Sequence, residues 1–170
     1  TVLENMLNAH VETYHLLKSI PGSEKVKIGL VKNIFQFDPL RRWHLLDWAF
    51  SKILNDVYTN APIEFLKTGK SSFYMPGMVD NEMLNPEAPG TLDFIGLNYY
   101  SRMHVKGRLN PEEPFVFDTR QQDIMTDMGY PLYAEGFYRA LKTISDVGVP
   151  IYVTENGLAD DKDTVRPLFI

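Results

Sequence analysis

The feature that most constrains the fold is a regular alternation of helix-like and strand-like segments along the chain. Three segments carry apolar side chains at the three-and-four spacing of one helix face, and each is followed by a short apolar run typical of a buried strand. The helical segments span residues 3–17, 43–57 and 133–147, and the strand segments span 26–31, 92–100 and 151–154. This alternation predicts a parallel sheet that is covered by helices.

Proline, glycine and asparagine mark the connections. Asn60, Pro62 and Gly69 are typical of a cap, a first-turn proline and a terminating glycine around a further short helix. The remaining stretches lack a sustained period and are predicted to be loops, although 115–117 could pair briefly; they span residues 33–39, 75–91 and 106–131. No internal repeat or linker divides the chain, so we expect residues 1–170 to form a single, incomplete domain.

Two architectures fit this order, an open doubly wound sheet and an arc of a (β/α)8 barrel. Doubly wound nucleotide-binding sheets usually carry a glycine-rich turn after a strand, and the sequence has none. Polar residues instead accompany the strand ends: Asn33, Asn98, Tyr100, Glu155 and Asn156. Because barrel active sites lie at the carboxyl ends of the strands, we predict an α/β fold that is a partial (β/α)8 TIM barrel, with about three parallel strands.

Composition narrows the classes of partner. The 17 basic residues are scattered among 22 acidic ones, so no basic stripe marks a nucleic-acid site. No apolar run approaches the roughly 18 residues of a membrane helix. The absence of cysteine excludes thiolate metal sites and cysteine nucleophiles. The histidines lack paired ligand spacing, so we expect no metal and no cofactor; they are His10, His15, His44 and His104.

Glu155 is the strongest candidate for a catalytic side chain. It follows an apolar strand and precedes an Asn-Gly turn, where a partly desolvated carboxylate costs free energy unless something binds or uses it. The alternative is an ordinary solvated loop carboxylate. With a period of two, Asn98 and Tyr100 share one face of their strand and Tyr99 faces the other way. If the shared face is the barrel interior, the Tyr100 phenol can donate a hydrogen bond to Glu155; otherwise the tyrosines pack in the core.

Three motifs, in this order, resemble those of glycoside hydrolase family 1, which includes β-glucosidases, β-galactosidases and 6-phospho-β-glucosidases. Residues 93–100 (Asp-Phe-Ile-Gly-Leu-Asn-Tyr-Tyr) and 154–157 (Thr-Glu-Asn-Gly) resemble its sixth- and seventh-strand motifs. Residues 126–136 resemble the segment before its sixth helix, although Tyr130 stands where the family commonly has Trp and Ala134 where it commonly has Pro. The resemblance extends over the whole chain.

The resemblance implies a barrel that hydrolyses small-molecule β-glycosides with retention of anomeric configuration. Glu155 matches the family's nucleophile, Tyr100 matches the tyrosine that hydrogen-bonds this nucleophile, and Asn98 is the candidate substrate-binding residue. Retaining enzymes use two carboxyl groups about 5 to 5.5 Å apart. The family's acid/base Glu lies in an Asn-Glu-Pro motif on its fourth strand, and this motif does not occur in the sequence.

We therefore expect an internal piece of a longer chain that is inactive alone and begins just downstream of its proton donor. Loops 70–91 and 105–131 are expected to border the entrance for the leaving group. Two other functions stay open: a thioglycosidase of the myrosinase type, which lacks the general acid, and a catalytically silent binding or receptor-like barrel. The residue that follows Asn in the family's fourth-strand motif distinguishes the three functions. Glu at this position indicates ordinary hydrolysis, Gln indicates thioglycoside cleavage, and an apolar residue indicates a silent role.

Overall fold

The structure is a computed structural model that describes residues 1–75, 77 and 79–169. The strands are β1 (Gly29–Pro39), β2 (Lys70–Met75), β3 (Val79–Leu84), β4 (Phe94–Gly107), β5 (Phe115–Asp118) and β6 (Ile151–Asn156). The α-helices are α1 (Val2–Lys18), α2 (Leu45–Asn55), α3 (Ala61–Thr68) and α4 (Glu135–Ser145). A π-helical turn (Asp56–Asn60) joins α2 to α3, and a short 3-10 turn (Arg166–Leu168) follows β6.

Strand β4 is the centre of the main sheet. It pairs in parallel with β1 on one side and with β6 on the other, and its carboxyl-terminal part also pairs with β5 in the antiparallel direction. Strands β2 and β3 form a separate antiparallel hairpin. Within the described residues the three parallel strands form an arc that does not close on itself. The predicted parallel sheet with covering helices is therefore confirmed.

The helices bury one face of this arc. Ile95, Leu97 and Tyr99 project from β4 into the helix layer and have no exposed surface. They share one apolar cluster with buried side chains of α1, α3 and α4, among them Val11, Phe65 and Ile144. Burying an apolar side chain of this size stabilises the fold by about 1.5 to 3 kcal/mol, so this face of β4 anchors the sheet to the helices.

The short helix α3 begins and ends close to where the sequence predicts. Pro62 lies in its first turn, and Gly69 ends it in the left-handed conformation with φ of 75°. A Cβ at Gly69 would lie 2.5 Å from the carbonyl oxygen of Asn85, so glycine is required there. Asn60, predicted to cap this helix, makes no capping hydrogen bond; its side chain instead donates to Asp56 inside the preceding π-helical turn.

The strands extend further than predicted at their carboxyl ends. Residues 33–39, predicted to be a loop, form the second half of β1, and β4 continues to Gly107. The extended halves of β1 and β4 pair with each other, and Asp38 and Arg102 form a largely buried ion pair across them at 3.5 Å. This pairing joins residues far apart in the sequence, so the local hydrophobic period does not reveal it. Part of the predicted loop 75–91 is likewise strand β3.

The described residues of the segment 70–91 lie at the opposite end of the sheet from the one predicted. It connects the end of α3 to the start of β4, and Thr143 and Asp146 at the end of α4 line the groove beside its hairpin. Because the end of α4 leads into the start of β6, the groove and the hairpin lie at the amino ends of the parallel strands. The expectation that 70–91 borders a substrate entrance is therefore wrong, because a helix-to-strand connection in a barrel returns to the face opposite the active site.

Candidate active site

Glu155 and Tyr100 meet at the carboxyl ends of two neighbouring parallel strands. The Tyr100 hydroxyl donates a hydrogen bond of 2.6 Å to the Oε2 of Glu155. The predicted contact between these two side chains is therefore present. The hydrogen bond to the carboxylate raises the pKa of Tyr100 above its ordinary value of 10, and partial burial and the negative charge of Glu155 act in the same direction. The phenol therefore remains a donor at neutral pH.

The carboxylate of Glu155 is more exposed than the sequence predicts. Residues 152–156 of β6 are all exposed, and Tyr100 is 36% exposed. Strand β6 lies at the edge of the sheet, since within the described residues its only partner is β4. The predicted partial desolvation of Glu155 is therefore wrong for this chain, because the carboxyl end of this edge strand is open to solvent.

The register between β4 and β6 shifts next to Glu155. Leu97 pairs with Val153, and the next residue of β4, Asn98, pairs with Glu155. Thr154 is thus one extra residue in β6, which is the definition of a β-bulge. Its hydroxyl donates to the Oδ1 of Asn98 at 2.6 Å.

Two asparagines complete the same rim. Asn33 of β1 lies directly across from Asn98 of β4 in the parallel register. The Oδ1 atom of Asn33 is buried and has no hydrogen-bond partner among the described residues. The sequence placed Asn33 after its strand rather than inside it, but the pairing still brings it to the level of Asn98 and Glu155. Asn33, Asn98, Tyr100, Thr154 and Glu155 therefore form one polar rim.

The opposite face of β4 is fixed by hydrogen bonds to the segment before α4. The Tyr99 hydroxyl donates to the carbonyl oxygen of Tyr133 at 2.6 Å, and burial raises the pKa of Tyr99. The hydroxyl of Ser101 donates to the carbonyl oxygen of Pro131. Asn156 of β6 donates to the carbonyl oxygen of Tyr99 at 2.9 Å. These bonds hold the backbone that carries Tyr100 and Glu155.

A buried charged cluster stiffens the strand ends beyond the rim. Arg102 lies between the carboxylates of Asp38 and Asp123, and His104 lies 3.2 Å from Asp123. His104 is fully buried, and burial and the neighbouring cations lower its pKa. Sequence periodicity does not predict this cluster, because its members come from β1, β4 and the loop after β5.

Three further findings concern the parts of the described chain outside the rim. A groove of about 1240 Å³ lies between α3, the β2–β3 hairpin and the end of α4, and none of the rim residues lines it. Among residues 1–75, 77 and 79–169, no group of three or more His, Asp or Glu is placed to hold a metal ion. No helix in the same residues is long and apolar enough to cross a membrane.

Two curated proteins with a similar sequence are named as glycosidases. The β-galactosidase of Pyrococcus woesei is 28% identical over 98% of this chain and 37% of its own length. β-Glucosidase A of Thermotoga maritima is 30% identical over 94% of this chain and 37% of its own length. The chain thus spans a little over a third of these curated relatives.

Solved structures agree with this similarity. The β-glycosidase from Pyrococcus horikoshii matches 99% of this chain and 37% of its own, with a TM-score of 0.76 and 30% identity. The family 1 β-glucosidase from Thermotoga maritima matches 94% of this chain and 37% of its own, with a TM-score of 0.74 and 26% identity. These matches confirm the predicted partial TIM-barrel fold. The model of glycosyl hydrolase family 1 matches residues 1–167, and the chain belongs to that family.

Proposed function

We propose that this chain carries the nucleophile side of the active site of a retaining β-glycosidase. In this proposal Glu155 is the nucleophile, Tyr100 orients it, and Asn98 binds the substrate. The observation that carries the proposal is the 2.6 Å hydrogen bond from Tyr100 to Glu155 at the carboxyl ends of two parallel strands, which is where barrel enzymes place their catalytic groups.

The substrate class follows from the relatives. Their names describe β-galactosidases and β-glucosidases, and the Thermotoga maritima β-glucosidase has been solved in complex with castanospermine and with isofagomine lactam. We therefore propose a small-molecule β-glycoside as the substrate of the protein to which these residues contribute.

The first step uses the free oxygen of Glu155. Tyr100 donates to Oε2, which leaves Oε1 to attack the anomeric carbon. The bond to the leaving oxygen breaks, that oxygen takes a proton from a second carboxyl group, and a glycosyl ester forms on Glu155. A hydrogen bond to an ionised acceptor is shorter and about twice as strong as a bond between neutral groups, so Tyr100 can hold the carboxylate in the geometry of attack.

The second step returns the enzyme to its starting state. A water molecule attacks the anomeric carbon, gives its proton to the second carboxyl group, and displaces the carboxylate of Glu155. The sequence has no Asn-Glu-Pro motif, so we propose that the second carboxyl group lies outside these 170 residues. We accordingly expect the 170-residue chain alone not to hydrolyse an aryl β-glucoside; turnover at an ordinary enzymatic rate would contradict this.

The test compares Glu155→Gln with a matched control in the full-length protein. Glu155→Gln is expected to lower kcat on 4-nitrophenyl β-glycosides by roughly a thousandfold or more, as loss of a nucleophile does in other enzymes. Glu87→Gln, at an exposed glutamate near the opposite end of the sheet, is expected to leave kcat unchanged. NMR of the first-formed sugar should show the β-anomer. An active Glu155→Gln variant, or the α-anomer as first product, would overturn the proposal.

A further inference from the structure

We infer that Thr154 is a positioning residue, whose bulge in β6 and hydrogen bond to Asn98 aim the carboxylate of Glu155 at Tyr100. The inference rests on the proposed role of Glu155 and adds the device that places it. Three independent features of the structure support it: the register of the two strands, the contact made by the Thr154 hydroxyl, and the space left by Gly96.

The register shows what the bulge changes. In a regular parallel pair, Thr154 would lie opposite Asn98 and Glu155 opposite Tyr99, because Leu97 is paired with Val153. Tyr99 faces the helix layer and is fully buried, so an unbulged strand would direct Glu155 toward the helices. The extra residue moves Glu155 opposite Asn98, on the face that also carries Tyr100.

The contacts of two consecutive residues show the same thing. The side chain of Thr154 donates a hydrogen bond to Asn98, whereas that of Glu155 accepts one from Tyr100. Asn98 and Tyr100 lie two apart on one face of β4, whereas neighbouring side chains of a regular strand point to opposite faces. Both contacts can be made together because the bulge rotates the chain between Thr154 and Glu155.

A glycine leaves the room that Thr154 needs. Gly96 lies on the same face of β4, two residues before Asn98. A Cβ at this position would lie 3.1 Å from both the Cγ2 and the Oγ1 of Thr154 and 2.9 Å from the Cγ2 of Val31. A glycine inside a strand often marks such a close approach. The Thr154 side chain can therefore lie across β4 and reach Asn98.

The far side of the bulge is also fixed. The side chain of Asn156 donates to the carbonyl oxygen of Tyr99 at 2.9 Å. The residues on both sides of Glu155 in the sequence are thus hydrogen-bonded to β4, Thr154 to the side chain of Asn98 and Asn156 to the backbone of Tyr99. The exposed carboxylate gains an orientation from its two neighbours in sequence rather than from burial.

The test uses two variants that differ in one group. Thr154→Val removes the hydroxyl and keeps the branched shape, whereas Thr154→Ser keeps the hydroxyl. In the full-length protein, Thr154→Val is expected to lower kcat/KM on 4-nitrophenyl β-glycosides by roughly five- to tenfold, the value of one ordinary hydrogen bond. The loss should appear in kcat with KM nearly constant, and Thr154→Ser should stay within about twofold of the unaltered protein. Both variants should unfold at the same urea concentration as that protein.

Several results would overturn the inference. One is a kcat/KM of Thr154→Val within twofold of that of the unaltered protein, and another is a kcat/KM of Thr154→Ser as low as that of Thr154→Val. A third is a loss of activity that appears only in KM, or only together with reduced stability. Glu155→Gln, measured in parallel, separates this inference from the proposed function. An inactive Glu155→Gln variant beside a normal Thr154→Val variant removes the positioning role alone, whereas an active Glu155→Gln variant removes both.

Discussion

The two faces of β4 use the same backbone for different purposes. Ile95, Leu97 and Tyr99 face the helices and are completely buried. Asn98 and Tyr100, which alternate with them, face the rim and are partly exposed. Alternate residues of one strand thus carry the packing against the helices and the proposed chemistry, so substitutions one position apart should affect different measurements.

The two faces also differ in how they hold their side chains in place. The helix face relies on close packing, which tolerates little change in volume. The rim relies on paired hydrogen bonds, Thr154 to Asn98 and Tyr100 to Glu155. Exposed polar contacts add little to the free energy of folding, so substitutions at the rim should weaken the core little.

The largest loss of stability is expected from the helix face. Leu97→Ala should lower the free energy of unfolding of the full-length protein by about 2 to 5 kcal/mol, because it leaves a cavity in the core. Val153→Ala, at the half-exposed residue paired with Leu97 in β6, should cost about 0.5 kcal/mol or less. Urea unfolding measures both. Equal losses for the two variants would contradict the expectation that burial by the helices sets the cost of losing a side chain.

Loss of the buried carboxylate of Asp47, which joins α2 to Gly107 at the end of β4, should lower the free energy of unfolding by an intermediate, pH-dependent amount. Burial would raise the pKa of Asp47, but hydrogen bonds from the Arg41 side chain and from the backbone N–H groups of Arg41 and Gly107 outweigh it and hold the pKa at about 2. Because this folded-state pKa lies below the ordinary value of 3.8, the stabilisation is complete above about pH 4 and is lost as the pH falls toward 2.

Asp47→Asn should therefore lower the free energy of unfolding by about 2 kcal/mol at pH 7. The difference from the unaltered protein should shrink as the pH falls below 4, and urea unfolding at pH 7 and pH 3 checks this. Asp56→Asn, which removes a surface ion pair with Lys52, is the control and should cost about 0.5 kcal/mol or less. A cost for Asp47→Asn that does not change with pH would contradict this account.

The smallest effect on stability, and a clear effect on activity, is expected at the rim. Tyr100→Phe removes the hydrogen bond to Glu155 and should lower kcat/KM roughly ten- to a hundredfold, as expected for a bond to a charged group. Its free energy of unfolding should change by about 0.5 kcal/mol or less. Tyr152→Phe, at an exposed tyrosine of β6, should leave both unchanged. A Tyr100→Phe variant with undiminished hydrolysis would show that the rim bond has no catalytic role.

The local pattern of the sequence was enough to predict the order of the covering helices and the three parallel strands, and the two faces of β4, but not the β2–β3 hairpin. Alternation separates Tyr99 from Tyr100, and the structure places the first in the core and the second beside Glu155. The family motifs supplied the expected roles of Glu155, Tyr100 and Asn98, which remain predictions. These features depend on residues close together in the sequence.

The features that could not be predicted depend on contacts across the sheet. The extended half of β1 is paired with β4 beside the buried Asp38–Arg102 ion pair, and the bulge at Thr154 depends on register. Gly96 was a usable signal, since a glycine inside a strand often marks a bulge or a close approach. The position of 70–91 could have been predicted from topology alone, because it connects a helix to the next strand.

The central claim is that the carboxylate of Glu155 forms a covalent bond to the sugar during hydrolysis. The most direct measurement is to inactivate the full-length protein with a 2-deoxy-2-fluoro-β-glycosyl fluoride, which slows breakdown of the intermediate, and to locate the label by peptide mass spectrometry. The account predicts one label per active site, attached to Glu155, and slower labelling of the Tyr100→Phe variant. A label on another carboxylate, or hydrolysis that continues without any label, would contradict it.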